Sequence, residues 1–271
     1  MLGDLTTPLD LQDATLGPLD VSVSADRIAF YAETTGDDPS RWGTEAPPGF
    51  ASVLLFAVAD LFLYHPKVVP FTATLLHLDQ SFAYLAPMRA ESVITMIGRV
   101  TRVRERAGSY FVTFEATASD GQVDVVHSVS TFVLSDQQAP PPDVVSDEPA
   151  ARERGDNTAG QRSASRHDLV RYAAATRDFN PLHWDHVTAV EAGLPGTVVH
   201  GLMMYAWMVQ AAAEAADAPI IEAKVRFRSA LYPSQQATLE TEVVDGEVKM
   251  ALMHGATQLV TGIASVATDT E

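Results

Sequence analysis

The chain contains no cysteine among its 271 residues. Disulfide scaffolding, thiolate nucleophiles and cysteine-ligated metals are therefore excluded. Basic residues are scarce as well: 18 Lys and Arg stand against 35 Asp and Glu, a formal net charge of −17. A nucleic-acid partner needs a basic surface, and so does docking on an anionic membrane, so both are set aside. A few local arginines can still hold a small anion against that global field. No basic stretch followed by an apolar run opens the sequence, so no secretory signal is read and a cytoplasmic location is expected. The longest N-terminal apolar run, Ala51 to Tyr64, is broken by Asp60 and is too short to span a bilayer. Apolar residues still make up 46% of the chain, enough for a sizeable core.

One stretch differs in composition. Residues 135–164 are rich in Pro, Asp, Glu, Arg and Ser, include Pro140-Pro141-Pro142, and carry no sustained apolar period. They read as a linker between a unit over 1–134 and a unit over 165–271. The two units resemble each other. Tyr31, Ala32, Thr35 and Asp37 recur at one constant offset as Tyr172, Ala173, Thr176 and Asp178. After a one-residue adjustment, Pro39 and Trp42 fall on Pro181 and Trp184. An apolar helical stretch follows in each, Ala51–Tyr64 and Leu202–Ala216, and strands follow that. Short helices are expected at 24–34 and 165–176, capped by Ser24 and Ser165. Residues 201–216 are good helix formers and apolar nearly all round, the pattern of a buried helix. Strands are expected near 74–84, 91–104, 109–119 and 124–134, and again near 220–229, 236–244, 247–253 and 257–267. Asp120-Gly121 and Asp245-Gly246 supply hairpin turns. A long buried helix followed by an antiparallel sheet suggests an α+β unit, made twice, in which a sheet wraps a central helix.

The residues that could carry chemistry cluster in Asp178-Phe179-Asn180-Pro181-Leu182-His183. Pro181 turns the chain out of the preceding helix, and loops on a rigid scaffold are where reactive groups concentrate. A carboxylate and a histidine across such a turn could share one pocket, where they would orient water and trade protons near neutrality. Asn180 could brace either side chain or the loop. His200-Gly201 opens the predicted central helix, whose first amides are free to face a developing negative charge. The first unit has Pro48-Gly49-Phe50-Ala51-Ser52 at this point, with no His-Gly pair. His183 and His186, with Asp185 between them, lack a third ligand at recognisable spacing, so no metal is expected. Trp42 and Trp184 match in the repeat and are expected to pack. Arg226 and Arg228 flank Phe227 on a strand, as edge or rim residues or as holders of a carrier's phosphate. Met203, Met204, Trp207 and Met208 are expected in the helix core, with Met204 also a candidate for an acyl passage.

The segment Tyr172…Asp178-x-Asn180-Pro181-Leu182-His183, followed by His200-Gly201, resembles the MaoC-like dehydratases, the (R)-specific enoyl-CoA hydratases. The resemblance covers most of 165–267. It implies a hotdog fold, with Asp178 and His183 as catalytic residues and Asn180 in support. It also implies that the Gly201 N–H holds the thioester oxygen. Arg177 departs from the family's glycine; Arg177, His200 and Met204 are candidates for the pocket wall or rim. The first unit, with Leu76-His77-Leu78-Asp79-Gln80-Ser81-Phe82 and Pro87, resembles the non-catalytic N-terminal dehydratase domain of actinobacterial fatty-acid dehydratases. There Arg41 aligns with His183. The implied architecture is a double hotdog, two antiparallel sheets each wrapped around a long helix. The implied reaction is reversible hydration of a trans-2-enoyl thioester to an (R)-3-hydroxyacyl thioester, carried by CoA or acyl carrier protein, with no cofactor. Two such chains pairing is a candidate assembly. Two other readings stay open on sequence alone, a hotdog acyl thioesterase and a non-catalytic acyl-thioester binding partner.

Overall fold

The structure, a computed structural model, describes residues 7–146, 155, 157–158 and 160–267. Residues 147–154, inside the expected linker, lie outside the described residues. The first half runs β1 (Thr15–Val23), α1 (Ala25–Thr34), α2 (Ala51–Leu63), β2 (Thr74–Tyr84), β3 (Ser92–Arg106), β4 (Ser109–Ser119) and β5 (Asp124–Ser135). The second begins inside the 135–164 stretch with two short strands, β6 (Asn157–Thr158) and β7 (Gln161–Arg162). It continues with α3 (Arg166–Thr176), α4 (His186–Glu191), α5 (Gly201–Ala216), β8 (Ile220–Phe227), β9 (Ala237–Val244), β10 (Glu247–His254) and β11 (Thr257–Val266).

Local chemistry sets these elements. Ser24 caps α1 by accepting from the Arg27 amide at 3.3 Å. Ser165 and Asp168 form a reciprocal capping box on α3, satisfying two otherwise orphaned amides. Strand β4 alternates strictly between buried and half-buried residues, so one face meets the core. Its Phe114 stacks on Phe62 of α2 at 5.7 Å. Helices α2 and α5 are buried over most of their surface, as their apolar composition requires. Asp245 and Gly246 both have positive φ, 50° and 80°, the geometry of a tight primed turn between β9 and β10.

The two halves do not keep separate sheets. Strand β2 pairs antiparallel with β8, from Asp79 opposite Arg226 to Ala83 opposite Glu222. One eleven-stranded sheet results, in the order β1-β3-β4-β5-β2-β8-β11-β10-β9-β7-β6. The order β1 to β2 is mirrored by β7 to β8, a pseudo-two-fold through the seam. The expected double hotdog is present, with its two sheets fused edge to edge so that neither exposes its inner edge strand. Arg226 consequently sits on an interior strand, and Arg228 lies just past the end of it. Arg226 faces Asp79 across the seam at 3.5 Å, and Arg228 donates to the Thr261 hydroxyl at 2.9 Å. Beneath the seam, Phe82 is fully buried and packs on Tyr205 of α5 at 5.3 Å, while the Tyr84 and Tyr205 hydroxyls hydrogen-bond at 2.6 Å. Helices α1 and α3 meet on the other side, where Arg171 lies over Phe30 at 5.1 Å and pairs with Glu33 at 3.0 Å. Tyr31 and Tyr172 meet at 6.2 Å, with Ser52 between their hydroxyls. Among the described residues no helix is long and apolar enough to cross a membrane.

Phe82→Ala is expected to cost about 3–5 kcal/mol and to leave one cooperative denaturant transition reporting both halves. Two separated transitions would show that the seam does not couple them.

Candidate active site

The site lies where α3 ends and α5 begins. Helix α3 terminates at Arg177, whose backbone is left-handed, φ 69° and ψ 14°, with its amide bonded to the Ala173 carbonyl. Glycine reaches this conformation without penalty; a residue with a Cβ pays roughly 1 kcal/mol. Arg177 thus adopts a conformation that favours glycine, and its side chain is exposed.

From that turn the chain presents Asp178, 9% exposed. Its amide donates to the Thr176 hydroxyl at 3.2 Å, and its carboxylate accepts the Asn180 amide at 3.4 Å. Asn180 in turn caps the short 3-10 turn Pro181–His183 by accepting from the Leu182 amide at 3.2 Å. Asn180 thus supports the loop, and Trp184 braces it further by donating to the Phe179 carbonyl at 3.1 Å. The turn delivers His183, whose Nε2 stands 4.0 Å from Asp178 Oδ2. His183 Nδ1 lies 2.9 Å from the Val198 carbonyl. A carbonyl only accepts, so Nδ1 carries the hydrogen and neutral His183 turns the lone pair of Nε2 toward Asp178. Burial is the first cause of a raised Asp178 pKa; His183 and the Asn180 amide pull it down.

His200 is fully buried and contributes more than a wall. Its ring stacks on His183 at 3.7 Å and leans on Tyr172 at 4.8 Å. Its Nε2 donates to the Asp178 carbonyl at 3.2 Å. Burial, then the neighbouring His183, holds its pKa well below the usual histidine range, so it stays neutral. His200 thereby fixes both the Asp178 backbone and the plane of the His183 ring. Gly201 follows as the first residue of α5, and a Cβ there would meet the Phe227 ring at 3.2 Å. The glycine lets Phe227 pack against the helix head, whose first amides have no preceding turn to bond to. Met204 is buried in the core of α5. Asp178, His183 and His200 bring one ligand atom each within 4.8 Å of one another, the set among the described residues that could hold a metal. The two imidazoles lie face to face, and each commits one nitrogen to a carbonyl, an arrangement better suited to binding water. His186 is not brought in; Asp185 instead caps α4, accepting from the Val187 and Thr188 amides.

The pseudo-equivalent position in the first half has lost this arrangement. Asp37 accepts from the Trp42 indole at 2.8 Å and faces Arg41 at 3.5 Å. Phe50 and Ala51 open α2 where His200 and Gly201 open α5.

The sequence reading passed over one residue, Asp60 on α2. It is counted from the head of α2 as Gln210 is from the head of α5, and Gln210 reaches Thr35 at 3.2 Å. Asp60 lies within electrostatic reach of the Arg177-Asp178 turn, and its pKa is raised to about 6, first by burial, then by Asp178, with Arg177 opposing. Two polar residues at matched places in otherwise apolar central helices were the available signal.

Two substitutions test this electrostatic and backbone account. Arg177→Gly should raise stability by about 1 kcal/mol, measured by denaturant unfolding. Asp60 has a folded pKa above its unfolded one, so its contribution is present below about pH 4 and lost as pH rises through about 6. Asp60→Asn should then stabilise near neutral pH by on the order of 1 kcal/mol, allowing for solvent screening of its exposed part. That gain should vanish below about pH 4; a pH-independent gain would refute the assignment.

Residues 14–129 match the FAS1-like dehydratase domain region and residues 147–262 match the MaoC like domain. The chain is 25% identical over 253 residues to 3-hydroxyacyl-thioester dehydratase X of Mycobacterium tuberculosis, covering 91% of this chain and 86% of that one. A crystal structure of HtdX from Mycobacterium tuberculosis aligns at TM-score 0.73 and 22% identity, over 93% of this chain and 100% of the other. A conserved hypothetical protein of the same organism, described as having a double hotdog fold, aligns at TM-score 0.65 and 11% identity, over 96% and 97% of the two chains. The chain is a double hotdog whose first half matches a FAS1-like dehydratase region and whose second half matches a MaoC like domain.

Proposed function

We propose that the C-terminal half adds water reversibly across a trans-2-enoyl thioester, giving the (R)-3-hydroxyacyl thioester. The observation that carries this reading is the pairing of Asp178 Oδ2 with the lone pair of His183 Nε2 at 4.0 Å, between two largely buried side chains beside the head of α5. Two acceptors at that separation can hold one water, at about 2.8 Å from each. The water oxygen bonds to Cβ as the double bond opens, and one of its protons passes through the Asp178–His183 pair to Cα on the same face. The thioester oxygen gains negative charge in this step and lies against the Gly201 N–H, aided by the dipole of α5. Dehydration runs the same steps backwards. No metal or redox cofactor takes part, because protonation and electrostatics supply all the chemistry the step needs. The activity in the name of the Mycobacterium tuberculosis relative, a 3-hydroxyacyl-thioester dehydratase, supports the same reaction class. We assign the N-terminal half a structural and substrate-binding part, since the Asp37 carboxylate is engaged by Trp42 and Arg41. We place the reaction in the cytoplasm, on thioesters of CoA or of a carrier protein.

Crotonyl-CoA should lose its enoyl absorbance with the wild-type protein and release no thiol. His183→Ala and Asp178→Asn should each lower that rate by at least about 100-fold while the fold is retained. Thiol release in step with substrate loss would instead favour a thioesterase.

A further inference from the structure

Helix α2 is apolar apart from two residues, Ser52 near its head and Asp60 toward its end. Ser52 is fully buried, and Leu202 stands at the matched second place in α5. The hydroxyl therefore belongs to the N-terminal half alone. It donates to the Gly49 carbonyl at 2.9 Å. A serine hydroxyl has one hydrogen and two lone pairs, and a carbonyl only accepts, so the Ser52 oxygen is left as an acceptor. The Tyr172 hydroxyl of α3 donates to it at 3.3 Å, and the Tyr31 hydroxyl of α1 lies 3.4 Å away. Both tyrosines are fully buried, and burial pushes their pKa well above the ordinary phenol value, so both stay protonated.

Tyr172 carries that anchor to the candidate site. Its ring leans on His200 at 4.8 Å, and His200 stacks on His183 at 3.7 Å. His200 Nε2 meets the Asp178 carbonyl at 3.2 Å, while its buried Nδ1 has no hydrogen-bond partner. A single hydrogen bond fixes one point of an imidazole and not its plane, so the rings packed on it must do the rest. Tyr172 supplies one of those rings and His183 the other. Tyr172 is itself held at its hydroxyl end by Ser52, a group of the opposite half. Tyr31 meets the same oxygen, but its ring contacts are with Phe50 and Tyr172.

We propose that Ser52 is a positioning residue for the Asp178–His183 pair: by accepting the Tyr172 hydroxyl it holds the Tyr172 ring on His200, and His200 then holds the His183 ring plane and the Asp178 backbone. Ser52 touches no reacting atom. On the hydration reading, on which this role rests, a small turn of the His183 ring swings the Nε2 lone pair away from the shared water, and small misplacements of reacting groups are costly. The N-terminal half thereby acts on the site through one oxygen, a restraint that the C-terminal half does not supply for itself.

Ser52→Ala and Tyr172→Phe each remove one end of the bond, and Tyr31→Phe removes the phenol whose ring does not contact His200. Hydration of crotonyl-CoA is measured with each, and with the Ser52→Ala/Tyr172→Phe double variant, while NMR follows the ring resonances of His183 and His200. Ser52→Ala and Tyr172→Phe should each lower kcat about tenfold, with KM little changed. The double variant should fall no further than either single one, because the same bond is lost. The His183 and His200 resonances should move in these variants and hold in Tyr31→Phe, whose kcat should also hold. Where Ser52→Ala does not fold, Tyr172→Phe carries the same readouts. The resonances need no turnover, so a wild type without hydration would sink the hydration reading while they still decide the positioning. Unmoved histidine resonances, an unchanged kcat in an active enzyme, or an equal fall in Tyr31→Phe would overturn the inference.

Discussion

Strands β2 and β8 pair from Asp79 to Ala83 and from Arg226 to Glu222, and most of the molecule is arranged around that contact. Each half-sheet would otherwise end in an open edge of unpaired amides and carbonyls. Pairing those edges joins the halves into one sheet, buries Phe82 and Tyr205 beneath it, and brings α1 against α3. The helix ends that carry Arg177 and Asp178 are positioned by that packing. The seam therefore sets the frame in which a loop of one half faces a helix of the other.

Within that frame the two halves surround their matched aspartates differently. Both retain the tyrosine, the aspartate and the tryptophan. In the C-terminal half Trp184 bonds a backbone carbonyl and leaves Asp178 facing His183. In the N-terminal half Trp42 bonds the Asp37 carboxylate itself, and Arg41 stands where a histidine would be needed. The matched aspartates thus differ in their partners: Asp37 is held by Trp42 and Arg41, and Asp178 faces His183. Burial of Asp178 has a cost, since desolvation raises its pKa, and the loop offsets part of it through the Asn180 amide and His183.

Much of this was legible in the sequence because it is local. The serine caps, the all-round apolar α5 and the Asp-x-Asn-Pro-x-His turn each follow from residues a few positions apart. The internal repeat exposed the order of elements in both halves. What escaped is tertiary or looks like a breaker. Strand β1 contains Gly17-Pro18, which reads as an interruption, yet it is an edge strand and an edge tolerates a missing amide. Strands β6 and β7 are too short to show a period and lie in a stretch whose composition reads as linker. The fusion of the sheets leaves no alternation signal, because strand faces look the same whether or not the edge is paired. Asp60, Ser52 and the stacking of His200 on His183 depend on approaches between distant segments. Arg177 is the instructive departure: the sequence showed a missing glycine, and the backbone keeps the glycine-like conformation regardless.

The central claim is that the Asp178–His183 pair directs water to Cβ of an intact thioester. Incubating an enoyl thioester in water labelled with heavy oxygen, then locating the label by mass spectrometry, tests it most directly. The account predicts label in a Cβ hydroxyl of a product that still carries its thiol carrier. Label in a free carboxylate would contradict it.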